Sequence, residues 1–218
     1  HWAPIARGIV NLLAANFYTA HFAVPLLVGW IFWHTTDDRP MFYKFVYTLT
    51  VLNFLALVTF MVFPAAPPWY VYNYGFVQPV PNSSFWGTSA GTLIDVDRLL
   101  GVKFFTTLWD SFNANHFAAI PSLHGAYPIV VSLFVYQKFR KHGFWLALYP
   151  LATWFSAVYL NQHYVVDLLI GALYIIVAYF IAVKWLYPGF FRKFIEPETK
   201  TITFGAEKGL PETLQAKL

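Results

Sequence analysis

No cysteine occurs in the 218 residues, so no disulfide or thiol pattern reports on a redox compartment. Charge is nearly as scarce. Asp, Glu, Lys and Arg make up 11% of the chain, against roughly a quarter in a soluble domain, and this excludes an ordinary soluble protein. A basic stripe and a recognised nucleic-acid motif are missing too, so the net charge of +4 does not point to DNA or RNA. What is present is apolar surface: 58% of residues are hydrophobic and 21% aromatic. Their distribution decides the class.

Residues 15–34 and 45–63 contain no Asp, Glu, Lys or Arg, and each approaches the roughly 20 residues that cross a hydrocarbon core. Three more such stretches follow at 120–137, 143–162 and 163–183. Soluble cores do not need repeated uncharged stretches of this length. The expected fold is an all-α integral membrane protein, a bundle of about five or six transmembrane helices with five in this chain. Pro25, Pro128 and Pro150 are expected to kink their spans and open a cavity for lipid.

Cations set the orientation, because short cytoplasmic loops are enriched in Lys and Arg. Lys138, Arg140 and Lys141 lie between the third and fourth spans, and Lys184, Arg192 and Lys193 follow the fifth. Both groups belong inside, as does the first loop with Asp37, Asp38, Arg39 and Lys44. The long segment 64–119 then lies outside. An odd number of spans with an external start implies a signal sequence or a further helix ahead of His1, and the sequence leaves the two open.

Segment 64–119 is too long for a passive hairpin. Its Trp69, Tyr70, Tyr72, Tyr74, Phe76, Trp86 and Trp109 are residue types that settle at a membrane interface. Residues 92–112 are expected to form one or two short interfacial helices, interrupted by Gly101, so the segment reads as a cap. Residues 1–195 are therefore expected to form one transmembrane catalytic domain. Residues 196–218 turn polar and aperiodic, as in a cytoplasmic tail.

The chemistry begins where the fifth span opens. His163 and Asp167 stand at i, i+4, which predicts one shared helical face. A carboxylate on one ring nitrogen fixes the tautomer and leaves the other lone pair for attack on an electrophile. The third span opens with Ile120, Pro121, Ser122, Leu123 and His124, where Pro121 suits a first turn and the unbonded N–H groups of a helix start attract phosphate. Alone, His-x3-Asp serves equally as a helix-stabilising pair and Pro-Ser as a cap. Together, on successive helices at the external face, they read as neutral His163 attacking phosphorus and protonated His124 donating to the departing oxygen. Asp167 orients His163, and the intermediate is a phosphohistidine.

Pro-Ser-x-His at 121–124 and His-x3-Asp at 163–167 resemble the second and third signatures of the type 2 phosphatidic acid phosphatase superfamily. The resemblance extends over about residues 12–185. It is closer to the inositol phosphorylceramide synthase branch, through FPAAPPWY at 63–70, His21-Phe22 followed by Pro25, DRLLG at 97–101, and Tyr159-Leu160 ahead of His163. It implies transfer of phosphoinositol from phosphatidylinositol to a ceramide-like hydroxyl, with His124, His163 and Asp167 catalytic and Ser122 binding phosphate. His21, Trp69, Tyr70 and Arg98 become candidate substrate contacts, His21 serving equally to hydrogen-bond a neighbouring helix, and Asn73 with Tyr72 and Tyr74 candidates to face a polyol, where interfacial anchoring explains the tyrosines as well. The phosphatases' Arg six residues before the nucleophile is replaced by Ala157, so Arg98, Lys103 and His116 are the candidates to neutralise phosphate.

The chemistry calls for no cofactor. His116, His124, His163 and Asp167 have donor types that would suit zinc, but their spacings are not those of a common zinc motif. The partners implied are membrane lipids, a phospholipid donor and a lipid alcohol acceptor, met at the extracytoplasmic or luminal side. A lipid phosphatase acting on phosphatidate or polyprenyl phosphates shares the histidine chemistry with water as acceptor. A non-enzymatic transporter or scaffold would use the histidines only to hold helices. Lipid identity and oligomeric state are not legible in the sequence.

Overall fold

The structure, a computed structural model, describes residues 2–35, 39–74, 91–112, 115–140 and 143–191. These residues are all helical apart from connections, with one isolated bridge joining Ala65 and Ala118 and no strand among the described residues. Helix α1 spans Trp2–Thr35 and α2 spans Arg39–Val62. Three short helices follow: α3 at Pro68–Tyr74, α4 at Gly91–Leu100 and α5 at Phe104–Phe112. Then come α6 at Leu123–Phe139, α7 at Gly143–Tyr159 and α8 at Val165–Tyr179, which continues as a π-helical stretch Phe180–Phe191.

Three helical stretches, Pro4–His34, Arg39–Val62 and Val165–Gly189, are long and apolar enough to cross a membrane, and the chain is an integral membrane protein. Helices α6 and α7 have 17 residues each. Helix α1 begins well ahead of the expected start at residue 15. Its upper half packs against α4 and α7, with Asn11 bonded to Tyr159, so protein contacts sustain the helix where the sequence becomes more polar. Pro25, Pro128 and Pro150 all lie inside helices.

The chain reverses at one end between α1 and α2 and again between α6 and α7. That end carries Arg39, Lys44, Lys138 and Arg140, and Lys44 Nζ lies 4.7 Å over the Tyr187 ring. Asp37, Asp38, Lys141, Arg192, Lys193, Phe76, Trp86 and the expected tail at 196–218 lie outside the described residues.

Two apolar cores divide the bundle. The one nearer the cationic end gathers Phe32 of α1, Phe45 and Leu52 of α2, Val130 and Phe134 of α6, and Ile175 of α8. The other gathers Ala14, Ala15 and Tyr18 of α1, Leu93 and Val96 of α4, Phe105 of α5, Ala157 of α7 and Leu168 of α8. In the second core, α4 and α5 are joined through Gly101, whose φ of +67° is the left-handed turn that glycine tolerates. Asp97 then caps α5 from outside its sequence: Oδ1 accepts from Phe105 N at 2.9 Å, and Oδ2 from Thr106 N at 2.9 Å and Thr106 Oγ1 at 2.6 Å. Burial opposes ionisation of Asp97, but the Thr106 and Phe105 donors outweigh it and hold the carboxyl below its ordinary value.

Candidate active site

The first turn of α6 is built from Ser122, the N-cap, whose Oγ accepts from Gly125 N at 3.1 Å. Pro121 stands just before the cap rather than inside the helix as expected. His124 is the second helical residue. The lead-in to α8 is a tight non-helical turn in which Asn161 takes φ 62° and the N–H groups of Gln162 and His163 both donate to Ala157 O. His163 therefore precedes α8, whose N-cap is Tyr164. The expectation that His163 and Asp167 share a helical face is corrected here: they meet around the helix start. Asp167 Oδ2 accepts from Tyr164 N at 2.8 Å and lies 3.4 Å from His163 Nδ1, a contact long for a hydrogen bond.

Two glycines bring the two helix starts together. A Cβ on Gly125 would sit 2.8 Å from Leu168 Cα, and one on Gly171 would sit 2.3 Å from Ser122 O. Small residues at these places allow backbone-to-backbone approach, and Ser122 N donates to Asp167 O at 3.1 Å across the seam. The outcome is His124 Nδ1 at 3.1 Å from His163 Nε2.

The proton assignment follows from the partners. A carboxylate only accepts, so a neutral His163 aimed at Asp167 carries its hydrogen on Nδ1 and presents a lone pair at Nε2. In that arrangement His124 Nδ1 is the donor in the histidine contact. Helix α1 supports His124 from the side: the Tyr18 ring stacks on it at 4.0 Å and 7°, and the His21 ring lies 3.6 Å away. His21 Nδ1 bonds the Tyr18 carbonyl at 2.7 Å, which places its hydrogen on Nδ1 as well.

A cavity of about 280 Å³ opens over the pair. Tyr18, His21, Phe22, Phe60, Trp69, Trp109, Asn115, His116 and Gln162 line it together with both histidines. His116 meets the Trp69 ring edge-on at 5.8 Å, and burial lowers its imidazole below the ordinary value while Asp110 opposes that shift. The FPAAPPWY segment is fixed at the rim: Ala65 N donates to Phe117 O, and Trp69 N donates to Asn161 O.

Of the residues singled out by sequence, His21, Trp69, Trp109, His116, His124 and His163 line the cavity. Asp167 is wholly buried behind His163, and Ser122 is wholly buried at the α6 cap. Tyr70 packs against Phe117 at 5.0 Å and does not line the cavity. Arg98 stands outside it, 3.5 Å from Asp95, with its side chain 77% exposed. Lys103 is exposed and also outside. Among the described residues no Lys or Arg lines the cavity, and no group of three or more His, Cys, Asp or Glu could hold a metal ion. The side chains of Tyr72 and Asn73 are outside the described set. Sequence reasoning missed Tyr18, although the i, i+3 spacing to His21 places both on one face of α1. It also missed Gly125 and Gly171.

Residues 4–181 match the PAP2 superfamily. The chain belongs to the PAP2 superfamily. A protein of Bacteroides thetaiotaomicron named phosphoinositol dihydroceramide synthase is 34% identical over 175 residues, which is 78% of this chain and 53% of that protein. Candida albicans inositol phosphorylceramide synthase is 36% identical over 175 residues, 78% of this chain and 36% of that protein. The Saccharomyces cerevisiae inositol phosphorylceramide synthase catalytic subunit is 36% identical over 130 residues, 59% of this chain and 31% of that protein. This PAP2 chain thus spans about half the length of the first relative and about a third of the other two. No solved structure matches it.

Proposed function

We propose that this PAP2 chain is a membrane lipid phosphotransferase that moves phosphoinositol from a phospholipid to the hydroxyl of a ceramide-like lipid through a phosphohistidine at His163. The observation that carries the proposal is the 3.1 Å approach of His124 and His163 beneath an aromatic cavity, with Asp167 behind the nucleophile. The names borne by three similar proteins supply the phosphoinositol and ceramide chemistry.

His163 Nε2 attacks phosphorus in line. The N–P bond forms, the P–O bond to the diradylglycerol breaks, and the His124 N–H passes its proton to the leaving oxygen. The acceptor hydroxyl then returns a proton to His124 as its oxygen attacks phosphorus and releases His163. Phosphorus and the leaving oxygen lie between the two nitrogens during attack, so the rings part from 3.1 Å as phosphate enters. With no Lys or Arg on the cavity wall among the described residues, phosphate charge is met by the Leu123 and His124 N–H groups at the α6 start, with His116 and Asn115 nearby. Ser122 serves phosphate by holding that helix start in place. Trp69 packs on the headgroup and Tyr70 fixes Trp69.

The same reading makes 1–195 one catalytic domain of five spans. At 1.5 Å per residue α6 and α7 reach about 26 Å, close to a hydrocarbon core. It places α3–α5 in an interfacial cap on the extracytoplasmic or luminal side, opposite the cationic end, with 196–218 a cytoplasmic tail. The test uses purified protein in detergent with phosphatidylinositol, with and without ceramide, comparing wild type with His163→Ala. A phosphoinositol sphingolipid that requires both ceramide and His163 is the expected product. Inositol phosphate released equally without ceramide would make the chain a hydrolase, and lipid turnover surviving in His163→Ala would leave the histidines a holding role only.

A further inference from the structure

A second opening lies below the histidines. It is a groove of about 540 Å³ between α1 and α2, walled by Pro25, Gly29 and Trp30 on one side and Phe42, Leu49 and Asn53 on the other. It lies next to the cavity along both helices. On α1, Phe22 lines the cavity and Pro25 the groove, less than one turn apart; on α2, Phe60 and Asn53 are two turns apart. From Asn53 to Phe42 the groove descends about 16 Å along α2.

Its polarity is uneven. The lower part is apolar, and the upper end carries a rung of hydrogen-bonding groups. Asn53 is exposed, its Nδ2 donates to Leu49 O at 2.7 Å, and its Oδ1 accepts from Tyr127 OH at 2.6 Å. One Nδ2 hydrogen and one Oδ1 lone pair therefore have no partner among the described residues. Tyr127 lies 6.0 Å from the His21 ring, which in turn touches His124. Pro25 brings no N–H to the carbonyl of His21, so a further backbone acceptor stands at the same level. Amide and carbonyl groups in apolar surroundings are costly unless something bonds them.

We propose that this groove receives the alkyl chain of the acceptor lipid, and that Asn53 selects an acceptor bearing a secondary amide beside its reactive hydroxyl. The inference rests on the lipid-transfer reading and names the acceptor subsite within it. The oxygen that faces His124 belongs to a lipid alcohol, so a chain running down from that oxygen enters the groove on the His21 side. A secondary amide donates one N–H and accepts at one carbonyl, which matches what Asn53 leaves unused. A diradylglycerol has ester carbonyls and no N–H, so it fills only half of the rung.

Two probes bound to the full chain in detergent test this without any turnover: an N-acyl amino alcohol with a photoactivatable diazirine in its acyl chain, and its ester-linked analogue. Cross-links are expected on groove residues of α1 and α2. Asn53→Leu is expected to weaken the amide probe about tenfold more than the ester probe, because the amide loses one more neutral hydrogen bond than the ester, which used only the carbonyl half of the rung. Tyr127→Phe removes the rung bond alone and should keep the preference for amide. Gly29→Leu should weaken both probes, more so for longer chains. Equal weakening of both probes by Asn53→Leu, or cross-links spread over all the lipid-facing helices, would overturn the proposal. Because binding is read directly, a wild type that binds the amide probe but transfers nothing would sink the transfer reading instead.

Discussion

Two helix seams meet at the histidines, and glycine serves them in opposite ways. Between α6 and α8, Gly125 and Gly171 close the gap so far that no Cβ fits, and the Ser122 and Asp167 backbones bond directly. Between α1 and α2, Gly29 leaves space that the helices never close, and the groove persists beside it. The first seam fixes the distance between His124 and His163; the second leaves an open, mostly apolar groove. An enzyme working on lipids needs both, because rigid placement of groups governs the chemical step while an open apolar wall governs access.

The sharpest test of the closed seam removes the charge it buries. Asp167→Asn keeps a side-chain oxygen for the Tyr164 N–H but loses the acceptor that fixes the His163 tautomer. Turnover should fall by about four orders of magnitude with the thermal unfolding temperature little changed. Gly171→Ala comes next. Its Cβ would overlap Ser122 O, so a destabilisation of about 1–3 kcal/mol is expected, with loss of activity as the histidines separate. Gly29→Ala should be nearly silent by both measurements, and equal costs at the two glycines would end the contrast between the seams. Ser122→Ala should cost about 1 kcal/mol of stability by removing the α6 cap, with a modest rise in KM for the phospholipid.

The smallest effect lies outside both seams, at the α4–α5 cap. The Asp97 carboxyl titrates lower in the folded protein than in the unfolded chain, so its contribution is complete above the unfolded value and is lost as pH falls through the folded one. Asp97→Asn should therefore lower the unfolding temperature at neutral pH, and the gap to wild type should close below about pH 4.

Much of the closed seam was legible, because its chemistry lies in short motifs: Ser122 and His124 are two residues apart, and His163 and Asp167 four. Spacing could not tell that His163 would stand ahead of α8, since i, i+4 also fits a turn whose carboxylate folds back onto the helix start. Gly125 and Gly171 carry no side chain to attract notice, and their role appears only once two backbones face each other. The same holds for Tyr18, which reads as one more aromatic among 14 tyrosines until its ring is seen on His124. Apolar blocks placed the helices well but set the start of α1 too late, because its upper half is held by protein contacts that a lipid-based criterion does not see. Arg98 shows the converse, a charged residue that drew attention by type yet stands at the outer surface.

The bond between Asn11 and Tyr159 closes a sequence separation of 148 residues, and the Tyr18 stack on His124 ties the same helix to α6. The upper half of α1 is thus completed only by helices that lie far along the chain. Loops of this length close slowly, so the upper half of α1 must wait in partial order while more than a hundred residues are synthesised and inserted. The packing of α1 on the His124–His163 pair therefore assembles late relative to α1 itself, and recovery of activity during refolding would serve as a clock for it.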